Sequence, residues 1–367
     1  MKDIKTIDSL YHACTYGRAP VVFERGRGAR LWDDKGRDYI DFGSGIGVMS
    51  LGYANPEWVK AVSEQAAVLP HTSNLFYNEK TAMLAGRLAL RTHFERVFLS
   101  NSGAEANECL IKTARKWASD TKGEGEHPFV TLVNSFHGRT LTTVTATGQD
   151  TFHKFFGPFT PGFRYVPAGD LAALEDCSAV LVEIVQGEGG VRALDADYLK
   201  AVEALCHEKN VLFCVDEVQT GNGRTGTWFA YEQFGLSPDL VSTAQGLGNG
   251  LPIGATLMGP KTAEVLTPGT HGSTFGGNPV ACAGALSVLE QIDDAFLEAV
   301  KQKGAWLTAE LEKIPGVKDV SGLGLMLGFS VEGCKSADIK AKALDNGLVV
   351  LTAKDRVRAR HHRGGAF

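Results

Sequence analysis

The sequence predicts an α/β fold: a mostly parallel central sheet flanked by helices, with a smaller α+β unit assembled from the two ends of the chain. Three observations carry this. Short apolar runs alternate with stretches of helical periodicity through the middle of the chain, and strands connected in that way pair in parallel with both faces covered. Polar, glycine-rich corners follow the apolar runs, where ligands of open α/β sheets gather. Both flanks lack the alternation.

In chain order, residues 1–50 read as a β-rich lead, with Arg30-Leu31-Trp32-Asp33-Asp34-Lys35-Gly36-Arg37 as a hairpin turn. Residues 51–284 form the large unit. There the sequence predicts strands at 97–99, 129–133, 179–185, 211–215 and 240–242, and helices at 104–117 and about 196–208. Tyr198, Val202 and Leu205 give the second helix its spacing. A single long helix is expected over 285–314, then a β/α segment over 317–331 and 339–351. Residues 285–367 and 1–50 together make the smaller unit. The stretch from Ala359, including His361 and His362, has no apolar period and is expected to add nothing to it.

Composition narrows the function. The chain has 367 residues, with 37 Lys+Arg against 42 Asp+Glu and a net charge of −5. Neither half is strongly basic, which argues against nucleic acid as a partner. No apolar run is long enough to cross a bilayer, and the start has no secretory h-region. The 7 cysteines are odd in number and scattered, without a C-x-x-C pair, so a reducing cytoplasm is expected, with neither disulfide framework nor zinc site. The 43 glycines sit in clusters such as Gly43-Ser44-Gly45 and Gly187-Glu188-Gly189-Gly190, a pattern of tight turns close to a ligand or another chain.

Five corners carry chemistry. In Ser100-Asn101-Ser102-Gly103-Ala104-Glu105-Ala106-Asn107 a strand gives way to a helix start whose free N–H groups and dipole suit a phosphate, although plain capping by Ser102 explains it equally. In Phe136-His137-Gly138-Arg139-Thr140 the phenyl ring can stack on a flat ring and Arg139 can clamp a carboxylate. His137 has no second His or Cys at ligand spacing, which speaks against a metal. Val215-Asp216-Glu217-Val218-Gln219-Thr220-Gly221 delivers Asp216 to a strand end, where a buried carboxylate needs a partner such as a protonated ring nitrogen. A magnesium-binding aspartate would need a G-x-x-x-x-G-K-[ST] loop, which the chain lacks. The remaining corners are Val182 to Gly190 and His271-Gly272-Ser273-Thr274-Phe275-Gly276-Gly277-Asn278-Pro279.

Together these segments, with His71-Thr72-Ser73-Asn74-Leu75-Phe76-Tyr77-Asn78-Glu79, resemble the class-III pyridoxal-phosphate-dependent aminotransferases of fold type I, nearest to their acetylornithine subgroup, from about Thr15 to Arg358. The resemblance implies pyridoxal 5′-phosphate as cofactor. It implies amino-group transfer from N-acetylornithine to 2-oxoglutarate in arginine biosynthesis, with ornithine, succinylornithine and 4-aminobutyrate as alternative donors. It also implies a homodimer with shared active sites. By motif, Gly103 and Ala104 would hold the phosphate, Phe136 and Val218 would cover the ring faces, Asp216 would pair with the ring nitrogen and Gln219 would reach the ring hydroxyl. Ser102, His137, Glu183 and Glu217 would complete the cofactor's surroundings. Thr274 would bind the phosphate of the neighbouring subunit, Arg139 and Ser273 would touch substrate, and Glu188 would gate Arg358, which holds a substrate carboxylate.

Two departures stand out. Where the family reads Leu-Ala-Lys-Gly-Leu-Gly, this chain has Thr243-Ala244-Gln245-Gly246-Leu247-Gly248, so Gln245 takes the place of the Schiff-base lysine. An amide nitrogen is neither nucleophile nor base, and losing a positioned base costs on the order of 10²–10⁴ in rate. After Arg358, the Pro-containing strand and last helix of the family are missing. The residues therefore leave three readings: an impaired transaminase, a cofactor-binding homologue kept as a partner or regulatory subunit, or an altered variant of an active enzyme.

Overall fold

A computed structural model describes residues 3–125, 127–174 and 176–360; His361 and His362 lie outside the described residues. Seven strands form the large sheet in the order Arg96–Ser100, Gly254–Met258, Leu240–Ala244, Leu212–Asp216, Ala179–Val182, Phe129–Leu132 and Phe163–Val166. The strand Leu212–Asp216 pairs in parallel with Leu240–Ala244 and Ala179–Val182, placing it near the middle. The strand Gly254–Met258 runs antiparallel to both of its neighbours, so the sheet is mixed at that edge. A tight return after the corner at Gln245 allows this, because no crossover helix intervenes.

Side-chain alternation explains why the sheet is covered twice. Leu212 and Cys214 pack with Leu110, Ala114 and Trp117 of the helix Gly103–Lys122. Phe213 and Val215 point the other way, into a cluster with Leu199, Val202 and Cys206 of the helix Ala196–Glu208. Every residue of Leu212–Asp216 and Leu240–Ala244 is buried. Asp216 therefore reaches the carboxyl edge on a strand with little freedom to move.

The two ends of the chain meet. The strands Phe23–Arg27, Arg30–Asp33 and Asp38–Asp41 form an antiparallel meander, to which Leu348–Val349 adds in parallel. A second sheet runs Val317–Leu323, Met326–Val331, Arg356–Ala359 and Leu351–Ala353. Two expectations need correction. The long helix of 285–314 is two helices, Pro279–Gln291 and Asp294–Glu312, because Asp293 caps the second by accepting from the Phe296 amide at 2.8 Å. The stretch from Ala359 is not idle either at its described residues. Ala359 closes the strand Arg356–Ala359, and the Arg360 amide donates to the Phe42 carbonyl at 2.6 Å, tying it to the N-terminal segment.

The central strand tests the packing argument. Phe213→Ala removes a fully buried ring, and we expect a loss of about 3–5 kcal/mol of unfolding free energy in urea titrations. A loss under 1 kcal/mol would show that the sheet is not held by this cluster.

Candidate active site

Asp216 is the last residue of its strand and 4% exposed. Its Oδ2 accepts hydrogen bonds from His137 Nδ1 at 2.7 Å and Asn107 Nδ2 at 2.8 Å, and its Oδ1 accepts from the Val218 amide at 2.9 Å. Asn107 also donates to the His137 carbonyl at 2.8 Å, and its Oδ1 accepts from the Ser242 hydroxyl at 2.6 Å. One carboxylate thus joins the helix Gly103–Lys122, the loop after Phe129–Leu132 and its own strand. With lone pairs to spare it can take one further donor.

The helix Gly103–Lys122 begins beside this group. Ser102 caps it, accepting from the Glu105 amide at 3.2 Å, which leaves the amides of Gly103 and Ala104 without a described acceptor and at the positive end of the helix dipole. A side-chain carbon on Gly103 would come 2.5 Å from Val218 Cγ1. Glycine at this position lets the valine seat directly against the helix start.

Glu183 lies close enough to Asp216 to feel its charge, and it is tied to Phe136. The Phe136 amide donates to Glu183 Oε2 at 3.1 Å. Burial, and then the nearby Asp216 charge, push the Glu183 carboxyl well above the ordinary carboxylate range. The Phe136 ring meets Phe152 edge-on at 5.2 Å, and the exposed Arg139 guanidinium stands 4.2 Å from the Phe152 ring centroid and 5.5 Å from that of Phe136.

Gln245 follows the strand Leu240–Ala244 with φ at 43°, and its amide nitrogen is placed to donate to the Ile46 carbonyl at 3.2 Å and the Val218 carbonyl at 3.3 Å. Its side chain therefore ends beside Val218, in the same corner as Asp216. Lys261 cannot stand in for it. Its ammonium lies 3.2 Å from Asp239, just before the opposite end of the strand Leu240–Ala244.

Not every expected residue converges. Glu217 is turned away by strand alternation: it accepts from the Tyr231 amide at 2.9 Å and the Thr220 hydroxyl at 2.5 Å, and burial pushes its carboxyl up to about 7. Ser273 accepts from Asn101 Nδ2 at 3.1 Å, while Thr274 is exposed on the same loop, and no hydrogen bond joins either to the Asp216 group. Arg358 pairs with Glu188 at 2.5 Å, the arginine side chain 4% and the glutamate 25% exposed.

Two residues escaped the motif reading. Asn107 stands one helical turn after Gly103, a polar side chain on the buried face, and that spacing is a usable signal. Arg360 is fully buried. Its Nη1 donates to the Ile46 carbonyl at 3.0 Å and its Nη2 donates to Gln219 Oε1. Its signal is the period-two run Arg356, Arg358, Arg360, which sends three guanidinium groups to one face of a strand and its continuation.

The corner therefore offers free amide donors at a helix start, an acceptor carboxylate, a phenyl ring and a valine side chain. That donor set fits a flat, anionic ring carrying a phosphate at one end and a basic nitrogen at the other. Among the described residues, no group of three or more His, Cys, Asp or Glu is placed to hold a metal ion, and no helix is long and apolar enough to cross a membrane.

Comparison with known proteins points the same way. Residues 11–361 match the family model described as aminotransferase class-III. An acetylornithine aminotransferase of Haemophilus ducreyi is 50% identical over 362 residues, covering 97% of this chain and 92% of that one. The enzyme of the same name from Methanocaldococcus jannaschii is 43% identical, covering 96% and 90%. Among solved structures, ornithine aminotransferase from Toxoplasma gondii ME49 superimposes with a TM-score of 0.94 at 35% identity, covering 98% of this chain and 90% of that one. Acetylornithine aminotransferase from Elizabethkingia anophelis gives 0.86 at 32%, covering 98% and 93%.

Glu217 generates a pH prediction. Its carboxyl is raised to about 7 in the folded chain from an ordinary 4.5, so the folded state binds the proton more tightly than the unfolded one. Its stabilising share is complete below about pH 4.5 and is lost as pH rises through about 7. Glu217→Gln keeps the acceptor for Tyr231 and removes the titration. Relative to the parent, the variant should gain about 1–3 kcal/mol between pH 5 and pH 8, measured by urea unfolding at both. Equal differences at the two pH values would rule this out.

Proposed function

We infer, because the chain belongs to the class-III aminotransferase family, that the corner around Asp216 is its pyridoxal-phosphate site and that the chain is built for the acetylornithine reaction, in which N-acetylornithine gives its amino group to 2-oxoglutarate. Enzymes of the family depend on pyridoxal phosphate, and a Toxoplasma relative is described with it at the active site. The single observation that carries the reading is the tie of Asp216 to His137, Asn107 and Val218, with Val218 seated against Gly103 at a helix start whose first amides have no acceptor among the described residues.

Bound there, the phosphorylated pyridine supplies the electron sink that amino-group transfer needs. The chain's own residues do the rest. Gly103 and Ala104 bind the phosphate at the helix start, with the Ser102 hydroxyl alongside. Asp216, its three hydrogen bonds holding it in place, keeps a proton on the ring nitrogen. Phe136 and Val218 cover the ring faces, and Gln219 reaches the ring hydroxyl. His137 and Glu183 hold Asp216 and Phe136 in position. Arg358 binds a substrate carboxylate once Glu188 leaves it, so the pair admits both a neutral side chain and an acidic one. Arg139 receives a second carboxylate at the rim.

A second copy of the chain completes the site in this reading. Leu75, Phe76, Tyr77 and Phe275 are all well exposed. Asn74 Nδ2 donates to the Ser273 and Gly276 carbonyls at 3.0 Å, so the two segments form one patch. An apolar patch beside Thr274 supports a homodimer in which Ser273 and Thr274 serve the partner's corner.

Gln245 sets the limit on turnover. It cannot bond covalently to the cofactor or accept the migrating proton. Gln245 thus also favours a second reading, a cofactor-binding partner subunit. With pyridoxal phosphate and borohydride, the protein should show no mass increase on the peptide 241–250, whereas Gln245→Lys should. The lysine variant should transfer the amino group of N-acetylornithine at least about 10²-fold faster. An adduct on the parent peptide, or equal measurable rates, would refute the reading; full inertness of the lysine variant would favour the partner subunit.

A further inference from the structure

Gln245 removes an ammonium from the corner, and Arg360 places a guanidinium in it. Both side chains donate to the same acceptor, the Ile46 carbonyl, at 3.2 Å for Gln245 and 3.0 Å for Arg360. Arg360 is fully buried, its Nε has no hydrogen-bond partner and no carboxylate is hydrogen-bonded to it, although Glu188 and Glu183 are near enough to be felt, as are the like charges of Arg358 and Arg224. A buried guanidinium held only by neutral acceptors is costly unless something further uses it. The chain also makes room for it: a side-chain carbon on Gly47, whose φ is 85°, would come 2.8 Å from Arg360 Nη1.

The second hydrogen bond gives the arginine a task. Arg360 Nη2 donates to Gln219 Oε1. A side-chain amide with its oxygen so engaged must present its nitrogen elsewhere, and no described residue accepts from Gln219 Nε2. We propose that Arg360 is a positioning residue that fixes the Gln219 amide with its nitrogen toward the cofactor's ring oxygen, so that this chain holds the cofactor without a covalent bond. The proposal rests on the reading that the Asp216 corner is the cofactor site.

The test uses the full chain and two ligands: pyridoxamine 5′-phosphate, and its 3-deoxy analogue, which lacks only the ring hydroxyl. Calorimetric titration of the parent should give about tenfold tighter binding of pyridoxamine phosphate than of the analogue. Arg360→Met, which keeps an unbranched stem and the backbone bonds while removing the guanidinium, should lose that preference, and Arg360→Lys should keep part of it. Gln219→Leu should erase the preference to the same extent, which keeps the test open should the methionine variant not fold. A preference that survives in R360M or Q219L overturns the proposal. So does R360M binding pyridoxamine phosphate as tightly as the parent, or more tightly, in which case the guanidinium stands in the ligand's way. If neither the parent nor Q245K binds either ligand, the cofactor-site reading falls, and the proposal with it.

Discussion

The corner is organised by one buried carboxylate. Asp216 sits where a rigid, fully buried strand ends, and a charge in that position is tolerable only if donors surround it. His137, Asn107 and the Val218 amide supply them, and each comes from a different piece of chain. Satisfying the carboxylate therefore also sets the helix Gly103–Lys122, the loop at 134–140 and the turn at 217–220 relative to one another. Asn107 is the least conspicuous of the three donors and the most connected, since it also engages the His137 carbonyl and Ser242.

Guanidinium charge gathers beside that corner. Arg360 and Arg224 are fully buried and Arg358 nearly so, and the three are near enough for Arg360 to feel the other two. Glu188 answers Arg358 directly, while burial and the Asp216 charge push the Glu183 carboxyl well above the ordinary carboxylate range. Such a field favours anionic ligands. It also gives the departures at 245 and 360 a common sense: one cation leaves the corner from the strand end at Gln245, and another enters it from the C-terminal segment.

Much of the architecture was legible because local rules and tertiary demand agree. The helix Ala196–Glu208 was predicted by the spacing of Tyr198, Val202 and Leu205, and the strand ends by polar corners that follow apolar runs. The break at Asp293 was missed although the capping signal is there, since apolar periodicity on both sides of it masks a change of axis. Glu217 was grouped with Asp216 by proximity in sequence, while pleating sends consecutive side chains to opposite faces.

The sequence by itself determined the fold class, the family and the chemistry on offer, because apolar period and motif spacing are local properties that survive without coordinates. It also displayed the missing lysine. Which donors satisfy Asp216, and where Ala359 and Arg360 go, only the tertiary structure decided. Asn107 and His137 reach the same oxygen from segments thirty positions apart, and Arg360 reaches Ile46 from 314 positions away. Contacts of that separation depend on how the sheet and the two chain ends close on each other, and no local pattern encodes that closure.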